Sequence, residues 1–191
     1  MQLKCDEDGS FYMENLYSSV LPYDFLHIDR VLWYCKLTEE LRARQHKSYK
    51  VYQSSNDIIW IKMVNTIQLS ETQRTTFTVR YVLKRYIQNH RVIAVWEAVV
   101  DTEGAGSMRF NEKGWSLLRP IRVCLPNATG PLSIKQSCIR TTPVIQGSLL
   151  EKDLVAGTVA YLLIRSHRQF MQLMRQIAND LLVMQFDNLV L

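Results

Sequence analysis

The chain has 191 residues, of which 47% are apolar and 21% charged, with 7 Gly, 5 Pro and a net charge of +5. One domain accounts for that length, and the composition excludes a disordered chain, a collagen-like chain and a disulfide-dense secreted scaffold. No window of about 18 uncharged apolar residues is present to span a membrane, and Asp6-Glu7-Asp8 stand where a signal peptide would turn apolar, so an intracellular protein is expected, cytoplasmic or nuclear.

Residues 1–22 are mixed in character and end at Pro22. From Tyr23 the apolar residues Phe25, Ile28, Leu32, Cys35 and Leu37 recur at helical spacing, which predicts a helix over 24–46 with Asp24 as its N-cap. From Tyr49 to Ile145 the period moves towards two, and β-branched and aromatic residues dominate. This predicts an antiparallel sheet over 48–146. Strands are expected at 57–64, at 75–86 with Phe77, Val79, Tyr81 and Leu83 on one face, and at 91–100. The polar turn Gln88-Asn89-His90 joins the last two into a hairpin. Gly104-Ala105-Gly106 marks the next reversal, and strands follow at 114–124 and 132–145.

After Gly147 the period is helical again. Val155, Val159, Leu162, Ser166, Phe170, Leu173, Ile177, Leu181 and Met184 form one continuous face of a helix expected over 150–188, with Arg165, Arg168 and Arg175 off the stripe. A curved sheet with an apolar face needs a cover, and this segment is long enough to supply it. The expected fold is therefore α+β of the helix-grip type: a curved antiparallel sheet of about six strands wrapped on a long C-terminal helix, as a single domain over 1–191. A concavity between sheet and helix would follow, filled by side chains or by a ligand.

The chemistry of enzymes is not signalled. There is no nucleophile elbow, phosphate-binding glycine loop or zinc-protease helix motif, and Gly104-Ala105-Gly106-Ser107 reads as a turn. Cys5, Cys35, Cys124 and Cys138 lack metal-ligand spacing, as do the four histidines, so thiols and no metal or other cofactor are expected. The basic stretch Arg42–Lys47 carries no nucleic-acid motif and reads as a solvated helix face, so direct nucleic-acid binding is not expected.

Polar groups within apolar strands carry more information. Glu97 shares its face with Ile93, Val95 and Val99; Arg119 shares its face with Trp115, Leu117 and Ile121; Arg140 interrupts Cys138–Thr142. A charge on an apolar face is costly unless paired. These groups either meet inside the concavity or reach solvent from the outer face. Trp96, beside Ala94 and Ala98, and Trp115 read as core fillers that a ligand surface could also use. Ser166, the polar member of the helical stripe, either faces a cavity or bonds its own preceding carbonyl. With Phe170, these residues make up the candidate cavity: Trp96, Glu97, Trp115, Arg119, Arg140, Ser166 and Phe170.

Three stretches resemble one family. Arg85–Trp96 resembles the hairpin of oomycete START-like proteins, Lys113–Pro120 their Gly-Trp strand ending in Arg-Pro, and Cys138–Val144 their last strand. The segment Asp24–Leu37, with Trp33 at its centre, is similar to the family helix before the sheet. That family includes mating-specific proteins, and a coiled-coil or basic-zipper region often precedes the domain. The resemblance implies a non-catalytic START-like domain that binds a lipid or other hydrophobic small molecule between sheet and helix. The alternative is a ligand-free interaction module with a transcription-linked protein partner.

Overall fold

The period of two that runs through most of the chain is the period of a pleated strand, whose side chains alternate between the faces of a sheet. The structure, a computed structural model, describes residues 2–5, 7, 11–38, 48–68, 74–104, 108–121 and 130–144, with Gln172, Gln176 and Asp180. Its elements are β1 (Gln2–Cys5), β2 (Phe11–Leu21), α1 (Phe25–Leu37), β3 (Ser48–Ser55), β4 (Ile58–Gln68), β5 (Arg74–Gln88), β6 (Arg91–Gly104), β7 (Arg109–Pro120) and β8 (Ser133–Val144). The strands form one eight-stranded sheet in the order β1-β2-β8-β7-β6-β5-β4-β3. Every neighbouring pair is antiparallel.

This corrects the helix-grip expectation. The sheet has eight strands where about six are expected, and the 13-residue α1 is the single helix element among the described residues. A stripe of apolar residues at helical spacing says that a segment can be amphipathic; it does not say which surface the stripe meets. The segment 150–188 lies outside the described residues, save that Gln172, Gln176 and Asp180 are helical and exposed. Three strands have no expected range: β3 opens the expected sheet region, and β1 and β2 come from the N-terminal segment. Polar Asn15 and Ser19 occupy the inner face of β2 while Leu16 and Val20 face outward, so no alternation of apolar and polar residues is visible.

The inner face carries the core. Phe77, Val100 and Phe110 pack together on β5, β6 and β7. Leu21, Phe25, Ile28, Val92 and Leu118 join α1 to the sheet. Trp33 of α1 meets Tyr49, Ile59, Ile61 and Leu83. Asp24 caps α1 as expected, accepting from the backbone N–H groups of Leu26 at 2.9 Å and His27 at 3.2 Å. At the other end, the Tyr49 hydroxyl of β3 donates to the carbonyl of Lys36 at 3.0 Å.

One side chain fastens these parts. Arg85 of β5 donates from Nη1 to Asp29 of α1 at 2.9 Å. Its Nε and Nη2 reach Asp57 in the β3–β4 turn at 3.1 and 2.9 Å, and its guanidinium lies over the Trp33 ring at 4.0 Å. Burial raises the Asp29 carboxyl above its ordinary value, and Arg85 pulls it part of the way back. Arg85→Met should therefore cost about 3–5 kcal/mol in urea denaturation, because it strands a buried carboxylate. Adding Asp29→Asn should recover part of that loss.

Candidate functional site

Strand register lays the outward side chains in rows across the sheet, opposite the α1 side. One row runs Tyr52, Trp60, Val82, Glu97, Lys113, Arg140 and Glu14. The next runs Lys50, Lys62, Arg80, Val99 and Asn111. Between them lies a groove of about 600 Å³ whose walls include Tyr52, Trp60, Val82 and Val99. That volume is within the range of about 300–1,000 Å³ that small-molecule sites occupy. The aromatic wall is open to solvent: Trp60 is 57% exposed and Tyr52 55%. Large aromatics left this exposed on a sheet that buries its other face are a departure from ordinary packing.

The charges around the groove are paired unevenly. Lys113 Nζ lies 3.2 Å from Glu97 Oε1, both groups exposed. Asp101 takes Arg109 at 2.6 Å and Arg80 as well. Lys50 and Lys62, opposite each other in register, are exposed.

The residues expected from sequence divide between the two faces. Trp96 is on the inner face, where its Nε1 donates to Glu112 Oε1 at 2.9 Å. The Ala94 and Ala98 positions do not alone make room for it: its indole lies against the backbone of Gly114, the residue opposite. Glu97, Trp115, Arg119 and Arg140 are all on the outer face and exposed. Glu97 meets neither arginine but Lys113. Arg140 stacks over Tyr12 at 4.0 Å and reaches Glu14 at 3.8 Å. Lys4 donates to the same Glu14 carboxylate, and that bond holds it below the usual range. Ser166, Phe170, Cys124 and the run Arg42–Lys47 lie outside the described residues. Cys5, Cys35 and Cys138 are thiols, and no group of His, Cys, Asp and Glu able to hold a metal occurs among the described residues.

Sequence reasoning placed Trp60 in a strand without seeing the groove, and passed over Tyr52, Lys62 and Arg80. The signal is a mirror: Lys-Val-Tyr at 50–52 and Trp-Ile-Lys at 60–62 flank the β3–β4 turn in reversed order, and the hairpin, with a bulge between Gln53 and Ser55, brings them into register.

On the inner face, α1 and the sheet enclose a second cavity of about 40 Å³, bounded by Asp29, Trp33, Arg85, Ser116 and Lys135 among others. It holds a few waters at most. Burial pushes the Lys135 ammonium down from its ordinary value of 10.5.

No family model and no curated protein matches the chain. Several solved structures are similar to it. An uncharacterised protein from Rhizobium leguminosarum shares 10% identity over 88% of this chain and 95% of its own, with a TM-score of 0.41. The di-domain ARO/CYC BexL from the BE-7585A biosynthetic pathway shares 11% identity over 87% of this chain and 49% of its own, at 0.45. A START superfamily protein from Mycobacterium smegmatis shares 6% identity over 83% of this chain and 97% of its own, at 0.34. No helix among the described residues is long and apolar enough to cross a membrane.

Two outcomes follow from the inner face. A Cβ at position 114 meets the Trp96 indole, so Gly114→Ala should destabilise by about 1–3 kcal/mol. Lys135 holds its proton more tightly unfolded than folded, so its contribution to stability rises with pH between its lowered folded value and 10.5. Lys135→Met should be more stable than the parent by about 1–3 kcal/mol at pH 7. That advantage should shrink as urea denaturation is repeated towards pH 10; an unchanged difference would mean that the ammonium is solvated.

Proposed function

We propose that the protein is a non-catalytic binding module that takes a hydrophobic small molecule, lipid-like in character, in the groove on the outer face of its sheet. The observation that carries this reading is the groove itself: about 600 Å³, walled by Tyr52, Trp60, Val82 and Val99. The enclosed space beside α1, at about 40 Å³, is too small for such a ligand. Apolar contact supplies affinity at about 25 cal/mol per Å² removed from water, and the two rings offer faces on which a flat or chain-like ligand can lie. The likeness of Arg85–Trp96, Lys113–Pro120 and Cys138–Val144 to oomycete START-like motifs supports a hydrophobic ligand by analogy alone, and not its place on the outer face.

A second reading, a surface for another protein, draws on one further row of the outer face. There Val95, Trp115 and Leu16 stand in register with Cys138, and Trp115 is 43% exposed and Leu16 65%. The two readings separate by variant. Native mass spectrometry of the purified protein should show a co-purifying apolar molecule that Trp60→Ala loses and Trp115→Ala keeps. Titration with a fluorescent fatty acid should weaken at least about tenfold in Trp60→Ala, the loss of about 1.4 kcal/mol. Equal binding by parent and Trp60→Ala would remove the groove from the account.

A further inference from the structure

The outer face carries a second ladder alongside the aromatic one. Lys50 faces Lys62 across β3 and β4, and Lys62 faces Arg80 across β4 and β5. Three cations thus stand side by side on consecutive strands, at about 4.5–5.5 Å between the Cβ atoms of each pair. Like charges in that position repel one another. Arg80 is relieved by Asp101. Neither Lys50 nor Lys62 has an ion pair or hydrogen bond among the described residues. Lys62 and Arg80 line the groove beside Trp60 and Val82, one cross-strand pair further along β4 and β5.

The distribution of acids gives the groove a direction. The carboxylates that line it, Glu97 and Glu112, are on β6 and β7 and each is engaged, by Lys113 and by the Trp96 indole; Asp101 at the end of β6 takes Arg80 and Arg109. The end over β3, β4 and β5 keeps an excess of positive charge next to exposed aromatic rings. Such an end is suited to an anion that brings apolar surface with it.

We infer that the ligand of the groove is an anionic amphiphile, with an acidic headgroup (a carboxylate or phosphate) on Lys50, Lys62 and Arg80 and its apolar part along Tyr52, Trp60 and Val82. This rests on the groove reading above and adds the charge class of the ligand. The headgroup supplies the counter-charge that the ladder lacks, and the rings cover the tail. Each exposed cation contributes modestly, because water and salt screen it.

The test compares three probes of one series by equilibrium dialysis: decanoate, decanol and acetate. Decanoate should bind about three- to tenfold more tightly than decanol at low salt. The difference should vanish near 1 M salt, where the Debye length is about 3 Å. The double variant Lys50→Gln/Lys62→Gln, changed only at exposed positions, should bring decanoate to parity and leave decanol unchanged. Acetate should bind far more weakly than either. Equal binding of decanoate and decanol by the parent would overturn the charge assignment while leaving an apolar groove. Failure of both would overturn the groove itself. Acetate binding as tightly as decanoate would also overturn the inference, since the tail would then contribute nothing. Sedimentation with phosphatidylserine-containing vesicles, without binding of monomeric decanoate, would overturn it in favour of a membrane surface.

Discussion

Arg85 is the point at which the architecture is tied. Its guanidinium has five N–H donors in a fixed plane, and the fold spends them on α1 and on the β3–β4 turn while the face of the plane lies on Trp33. A helix on a sheet can slide along its apolar stripe, because apolar contact is not directional. A planar cation with a carboxylate at each edge cannot. The cluster of Trp33, Tyr49, Ile59, Ile61 and Leu83 is thereby held in one register, and β3 and β4 are held with it. Those are the strands that carry Tyr52, Trp60, Lys50 and Lys62. The geometry of the outer groove therefore depends on an ion pair on the opposite face.

The two faces obey different rules. Inside, buried polar groups are bonded at particular points: Glu112 takes the Trp96 indole, and Ser133 donates to the carbonyl of Tyr23 at 2.7 Å. Outside, a cross-strand row that begins with aromatics lies beside one that begins with cations, and Tyr52 and Trp60 remain wet. A sheet evolving only for stability would place small polar or branched residues there. The outer rows are better understood as a surface kept for contact, at some expense in self-repulsion and exposed apolar area.

How much of this was legible in the sequence follows from the nature of each signal. The N-cap Asp24, the β5–β6 hairpin and the face shared by Phe77, Val79, Tyr81 and Leu83 are local patterns, and the structure has them where the sequence puts them. β2 was missed because its inward positions include Asn15 and Ser19, so the burial pattern and the hydropathy pattern disagree. The sequence left Glu97 open between the concavity and solvent; its partner Lys113 depends on register with β7, which no single strand reveals. The groove escaped for a related reason. Tyr52 and Trp60 are unremarkable in their own strands and become a wall only when the hairpin superposes them.

The pairing of β2 with β8 has a consequence for how the chain comes to be. Met13 lies opposite Thr141 and Leu21 opposite Ser133, so the N-terminal strands find their place only after nearly the whole sheet has been made. A ribosome adds about 5–20 residues per second, which leaves β2 waiting for several seconds before the strand that pairs with its inner edge exists. Contacts so distant in sequence also make sheet completion slow for entropic reasons. During that interval the nascent protein offers two open strand edges, those of β2 and β7, each a template for a neighbouring chain. The last described strand is thus a keystone, inserted between two edges formed earlier, and the safety of the nascent chain depends on how promptly it arrives.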